Sequence, residues 1–215
     1  HRLDDTYFMC ASLPIEPLSE DQAPELSVGG GVAAIDPGVR KFATIFDEAG
    51  RKVIHFGDHD HLRLLELGGR IDNIQSKIDL CKGSNCKARR RRERLEKAKR
   101  RLYRRVKNLV DDLHRRLAKF LCSSYRIILL PEFQTRDMCK KSTRVLNSKT
   151  VRSMMTWSHY RFRQRLIAKS REYPWCKVFV VTEEYTSKTC GRCGALREKL
   201  GGAEVFRCQS CGLTC

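Results

Sequence analysis

Two Cys-x-x-Cys pairs lie near the end of the sequence, Cys190-Gly191-Arg192-Cys193 and Cys208-Gln209-Ser210-Cys211, with fourteen residues between them. Four thiolates at that spacing suit a tetrahedral Zn²⁺, and Gly191, Gly194 and Gly212 suit the tight turns such knuckles make. All four positions would be filled by sulfur, so the centre would be structural, and a module this small needs its metal to fold. The other reading, a secreted disulfide scaffold, fits eleven cysteines poorly when the remaining seven are scattered. Cys81 and Cys86 read as unpaired thiols, and Cys215 as a spare thiol rather than a ligand.

The second constellation is a pair of acids. Gly30-Gly31-Val32-Ala33-Ala34-Ile35-Asp36-Pro37-Gly38 reads as a short apolar strand that ends in a carboxylate and a Pro-Gly turn. Taken alone, Asp-Pro-Gly is simply a turn. The pattern recurs, however, at Arg126-Ile127-Ile128-Leu129-Leu130-Pro131-Glu132. Carboxylates fixed at the ends of neighbouring strands can hold hard divalent cations, and two such metals can activate water and stabilise a leaving oxygen at a phosphodiester. A third acid is normally needed. Asp137, Glu183 and Glu184 are available, and no local pattern singles one out.

Elements to position these groups can be read in order. Residues 1–12 read as the end of a preceding domain, and 13–29, with Pro14, Pro17 and Pro24 among acids, as a linker. Residues 30–185 would form the core. Lys41–Phe46 and Lys52–Phe56 are expected as strands joined by a hairpin, and Lys177–Thr182 as a fifth strand after Arg126–Glu132. Helices fill residues 62–122. Leu67, Ile71, Ile74 and Ile78 recur at helical spacing, and Leu95 through Phe120 mark one long apolar stripe. Val151–Arg171 is expected as an amphipathic helix with Met154, Trp157, Tyr160 or Arg161, Leu166 and Ile167 near one face, and 186–215 as the zinc module. Strands, helices, strand, helix, strand is the order of an α/β RNase H-like fold with a mixed sheet.

Charge then points to the partner. The sequence carries 43 basic and 25 acidic residues, a formal net charge of +18. Residues 87–107 alone hold thirteen Lys or Arg against Glu93 and Glu96. A charge run is often only a solvated face, but this excess repels itself unless phosphates neutralise it. Arg89, Arg90, Arg91, Arg92, Arg94, Lys97, Arg100, Arg101, Arg104 and Arg105 are therefore expected to bind nucleic acid. No run is long enough to span a bilayer and there is no signal-peptide pattern, so the reading is intracellular, with no membrane partner.

Asp36-Pro37-Gly38-Val39-Arg40-Lys41-Phe42, Leu130-Pro131-Glu132, Thr186-Ser187-Lys188-Thr189-Cys190-Gly191-Arg192-Cys193-Gly194 and Phe206-Arg207-Cys208-Gln209-Ser210-Cys211-Gly212, in this order, resemble the RuvC-like nuclease and zinc ribbon of the transposon-encoded TnpB and Fanzor proteins. The Asp-Pro-Gly-Val-Arg form resembles the eukaryotic and viral Fanzor branch, which would mean a nuclear protein in a eukaryotic host and a cytoplasmic one otherwise. The resemblance implies an RNA-guided DNA endonuclease with guide RNA and target DNA as partners. It implies Mg²⁺ at Asp36 and Glu132 as the first two catalytic carboxylates, and structural Zn²⁺ on Cys190, Cys193, Cys208 and Cys211. It implies too a third acid after the last ribbon cysteines, expected past Cys215, and an amino-terminal region that grips RNA, expected before His1. The stretch given is thus expected to be inactive by itself. The alternatives are a nuclease-dead RNA-guided DNA-binding regulator and a resolvase-like enzyme that acts without a guide.

Overall fold

A computed structural model describes residues 7, 9–23, 31–47, 49, 51–81, 83, 85–133, 135–142, 146–182, 184–186, 188–197 and 205–214. The chain divides into two compact units, His1–Val180 and Val181–Cys215. The larger is built on a mixed sheet of five strands: β1 (Val32–Pro37), β2 (Ala43–Asp47), β3 (Lys52–Phe56), β4 (Ile127–Pro131) and β5 (Lys177–Val181), ordered β3-β2-β1-β4-β5. β1 pairs antiparallel with β2 and parallel with β4. The parallel pairing needs a long crossover. It is supplied by two helices, α1 (Asp58–Asp79) and α2 (Cys86–Ser124).

Burial alternates along the central strands, so one face of the sheet carries the core. Ala33 and Ile35 of β1, Ala43 and Ile45 of β2, and Ile128 and Leu130 of β4 are buried in a cluster with Val110, Leu113, Leu117, Leu121 and Cys122 of α2. Phe46, Val53 and Phe179, on the strands but outside that cluster, are exposed. Trp175 closes the core from behind, its indole N–H donating to the Cys122 carbonyl at 3.1 Å.

α1 begins at Asp58, four residues before the expected Leu62, because Gly57 caps it with φ +85°. A Cβ there would lie 2.8 Å from the Phe42 Cβ and 2.9 Å from Leu113 Cδ1, so only glycine fits. α2 starts at an Asn85 cap whose Oδ1 accepts from the Ala88 N–H at 2.8 Å. The single apolar stripe expected along α2 divides in two. Leu95, Ala98, Leu102, Val106 and Leu109 are only half-buried where α2 runs along α1, and full burial starts at Val110.

The expected helix over 151–171 is two. After a short α3 (Thr135–Met138), α4 (Ser148–Trp157) and α5 (His159–Ser170) break at Ser158, which takes left-handed φ 52° and ψ 53°. Tyr160 and Arg161, the alternatives expected at one position of the apolar face, are both exposed, and Phe162 is buried instead. Asp111 of α2 fastens α5, accepting from Arg161 at 2.6 Å and from Arg165 at 3.3 Å. Part of the linker stretch is docked rather than extended: Glu20–Gln22 forms a 3-10 turn, and the Leu18 N–H donates to the Glu172 carbonyl at 2.9 Å. Residues 24–30, and most of the 1–12 stretch assigned to a preceding domain, lie outside the described residues. Among the described residues no helix is long and apolar enough to cross a membrane.

Candidate active site and metal centre

The β1–β4 register pairs Val32 with Ile127, Ala33 with Ile128 and Ala34 with Leu129. Continued two steps, it sets Asp36 level with Pro131, and Glu132 comes next. Both acids therefore emerge at the same end of the two central parallel strands, on neighbouring strands of the sheet. Asp36 reaches solvent, yet desolvation at the strand end raises its carboxyl above the ordinary carboxylate range. Glu132 is exposed directly after β4. Two carboxylates at a rigid edge are hard oxygen donors of the kind Mg²⁺ takes. Among the described residues no third metal-ligating side chain gathers with them, since the one group of three or more is made of cysteines. Glu184 is exposed; the Asp137 side chain and the whole of Glu183 lie outside the described residues.

The turn that follows Asp36 is held from several directions. The Gly38 N–H donates to the Phe42 carbonyl at 3.2 Å, and a Cβ on Gly38 would sit 2.6 Å from the Lys41 carbonyl oxygen. Close approach of backbone to backbone thus requires this glycine. The Trp157 indole N–H donates to the Val39 carbonyl at 2.8 Å. His159, two residues on, lies close enough to the Gly38 backbone for it to favour the protonated ring. Its ring stacks on Phe42 at 4.7 Å and 1° and meets Phe133, the residue after Glu132, edge-on at 4.9 Å. His159 Nε2 is buried with no hydrogen-bond partner among the described residues.

Beneath this cluster His114 donates from Nε2 to the Trp157 carbonyl at 2.9 Å, and its Nδ1 is buried with no hydrogen-bond partner among the described residues. Burial lowers both imidazoles to about 4, with the hydrogen bond to Trp157 or the nearby Gly38 backbone opposing only part of that shift. Neither histidine belongs to a sequence motif. Trp157 was legible as an apolar helix position, but the signal for its donor role would have been the left-handed Ser158, which no propensity marks.

In the smaller unit the four cysteines converge. Their sulfurs all lie within 4.8 Å of one another, with Cys190 to Cys211 at 3.6 Å and Cys193 to Cys208 at 3.5 Å. Tetrahedral Zn²⁺ with bonds of ~2.3 Å would space its sulfurs by roughly 3.8 Å, so the donor set fits zinc. Each knuckle has the same backbone pattern. Cys190 N–H donates to Ala195 and Gly194 N–H to Cys190, both at 2.9 Å; Cys208 donates to Leu213 at 2.8 Å and Gly212 to Cys208 at 3.1 Å. Gly194 and Gly212 hold φ of +72° and +73°, whereas Gly191 does not need to be glycine. The backbone N–H groups of Cys211 and then Ser210 help hold the Cys208 thiol down to about 6, and those of Cys193 and Arg192 lower Cys190, while Cys193 and Cys211 are raised, with neighbouring thiols among the causes.

The basic residues lie along the outer half of α2. Arg89, Arg90, Arg91, Arg92, Arg94, Lys97, Arg101, Arg104 and Arg105 are exposed, and Arg100 is half-buried. Glu93 comes within 3.9 Å of Arg89, and Glu96 pairs with Lys99 at 3.0 Å, which leaves most of the positive excess facing solvent.

Comparison with known proteins gives two family matches: a family described as a probable transposase, of the IS605 OrfB type, over residues 13–142, and the Cas12f1-like TNB domain over residues 159–215. A putative transposase of Paramecium bursaria Chlorella virus 1 is 35% identical over 185 residues, 86% of this chain and 40% of the relative. A TnpB-like protein of Acanthamoeba polyphaga mimivirus is 30% identical over 186 residues, 83% of this chain and 34% of the relative. The chain thus spans well under half the length of these relatives. In fold it is similar to a chain of a CRISPR-Cas12f ternary complex (TM-score 0.59, 18% identity, 85% of this chain and 36% of the other). A Cas12f1–sgRNA–target DNA complex gives TM-score 0.52 at 20% identity, covering 89% and 47%.

Proposed function

The chain belongs to the family of probable transposases that includes TnpB-like proteins, and from that premise we propose that it carries the nuclease part of an RNA-guided DNA endonuclease. The observation that carries this reading is the emergence of Asp36 and Glu132 at one end of adjacent parallel strands. In an RNase H-like, RuvC-type sheet these would be the first two catalytic carboxylates, and they would hold Mg²⁺. Such ions, when bound, supply an activated water and charge stabilisation at the leaving oxygen. The chain's own part is to fix two hard donors on a rigid sheet end. The exposed residues Arg89 to Arg105 would grip the phosphates of guide RNA or of the RNA–DNA heteroduplex, leaving sequence to base pairing. That one similar solved fold comes from a Cas12f1–sgRNA–target DNA complex supports those partners. The four-cysteine unit would hold structural Zn²⁺.

A second reading, an RNA-guided DNA-binding regulator without cleavage, would be served equally by the exposed basic residues of α2 and the four-cysteine unit. One experiment separates them. The full-length parent, purified with its own RNA, is given matched plasmid DNA and Mg²⁺, with an EDTA control, alongside Asp36→Ala and Glu132→Ala. Metal-dependent cutting that both substitutions abolish, with target binding intact, supports the nuclease. Cutting that survives Asp36→Ala would sink it, and binding without any cut by the parent supports the regulator.

A further inference from the structure

Resting on the nuclease reading above, we propose that Trp157 and His159 are positioning residues that lock the two acid-bearing loops into one metal-binding geometry. The break between α4 and α5 is what makes this possible. In an uninterrupted helix, residues two apart point in directions about 200° apart. With Ser158 at left-handed φ 52°, Trp157 and His159 instead both meet the turn after Asp36: the indole N–H donates to the Val39 carbonyl at 2.8 Å, and the imidazole stacks on Phe42, whose carbonyl accepts from the Gly38 N–H at 3.2 Å. That turn begins at Pro37, directly after Asp36. The same imidazole touches Phe133, directly after Glu132, at 4.9 Å edge-on. His159 also lines a cavity of about 20 Å³ with Pro37, Leu130, Pro131 and Phe133, so one ring is wedged between both acid-bearing segments.

The wedge is itself immobilised. Phe42 stacks against His159 at 4.7 Å and packs on Trp157 at 5.2 Å. The Trp157 carbonyl is held by His114 at 2.9 Å. Both residues are buried, Trp157 at 1% and His159 at 6% exposure, so neither can itself meet substrate. Groups that orient carboxylate ligands from behind typically set metal affinity by 10–100-fold, while contributing nothing to nucleic-acid contact.

The test uses the full-length parent with its RNA and reads Mn²⁺ binding directly, by electron paramagnetic resonance titration, beside guided target binding and cleavage. Trp157→Phe keeps the ring and removes only the donor; His159→Ala removes the wedge; His159→Asn restores a planar polar side chain. The expected result is a roughly tenfold or greater weakening of Mn²⁺ binding in Trp157→Phe and His159→Ala, partial rescue by His159→Asn, and unchanged target binding. In cleavage, the metal concentration for half-maximal rate should rise in parallel. If Mn²⁺ binds these variants as it binds the parent while Asp36→Ala abolishes binding, the positioning role is refuted and the nuclease reading stands. If Asp36→Ala leaves both Mn²⁺ binding and cleavage unchanged, the nuclease reading fails and takes this inference with it.

Discussion

Acid should unfold the larger unit in a pH window set by two buried imidazoles. His114 and His159 are held at about 4 against an ordinary value of 6.5. A base whose value is depressed by folding binds its proton more tightly in the unfolded chain. Stability is therefore complete above about pH 6.5 and falls as the pH drops toward 4. At pH 5 an unfolded imidazole is protonated over neutral by about thirty to one, a buried one by about one to ten. Each ring then shifts the unfolding equilibrium about thirtyfold, about 2 kcal/mol, and the pair about 4 kcal/mol. Against a total stability of roughly 5–15 kcal/mol that is a large share. His61, lowered by burial and then by the charge of Arg40, adds with the same sign. Urea unfolding at pH 7.5 and pH 5, followed by the fluorescence of the buried Trp157 and Trp175, measures the loss without reading the cysteine unit. His114→Gln should remove about half of the pH dependence, whatever it does to stability at pH 7.5. Coincident curves at the two pH values, or a full dependence in His114→Gln, would refute the burial account of these rings.

Three further outcomes are expected. Cys193→Ser should release zinc to a chromogenic chelator and forfeit metal-linked folding energy on the order of 10 kcal/mol, while tryptophan-detected melting stays put; a joint loss would mean the units fold as one. Replacing Arg90, Arg91 and Arg92 with Ala together should lower the slope of log affinity against log salt by about 2–3 for any nucleic-acid sequence, measured by fluorescence anisotropy, and an unchanged slope would return this stretch to a solvated face. Gly57→Ala should cost about 2–4 kcal/mol by calorimetry, since it combines a left-handed backbone with overlap on Phe42 and Leu113; unchanged melting would mean the α1 start can shift.

What was legible in the sequence was what short spacing controls. The cysteine knuckles converge because each is closed by local bonds such as Gly194 N–H to the Cys190 carbonyl, and a glycine one residue past the second cysteine is enough to mark them. The strands carrying Asp36 and Glu132 were legible because apolar runs bounded by Pro and Gly are short-range signals. Their adjacency followed only from the rule that a crossover of this length permits parallel pairing. The α4–α5 break was not legible. Ser158 is an ordinary residue for a helix, and its left-handed conformation accompanies contacts that span the chain, from Trp157 to Val39 and from His159 to Phe42. Periodicity across 151–171 therefore predicted one face where the structure uses two. The histidines were invisible for the same reason: what distinguishes them is Phe42, more than seventy residues away in sequence.

α2 ties the two halves of the proposed function to one rigid body. Its inner half, from Val110 to Cys122, is buried against the sheet and carries Asp111, the anchor of α5. Its outer half projects the basic residues where burial is incomplete, so losing their charges leaves the core untouched. The basic stretch of α2, residues 87–107, runs about 30 Å at 1.5 Å per residue, about one turn of a duplex. Under the proposed function, phosphates gripped on the outer half would be registered, through one continuous set of backbone hydrogen bonds, to the strand ends that α2 supports. Binding and chemistry should consequently separate by position along this helix. Substitutions before about residue 107 should alter affinity and its salt dependence, and those after Val110 should alter the stability of the sheet and the placement of its acids.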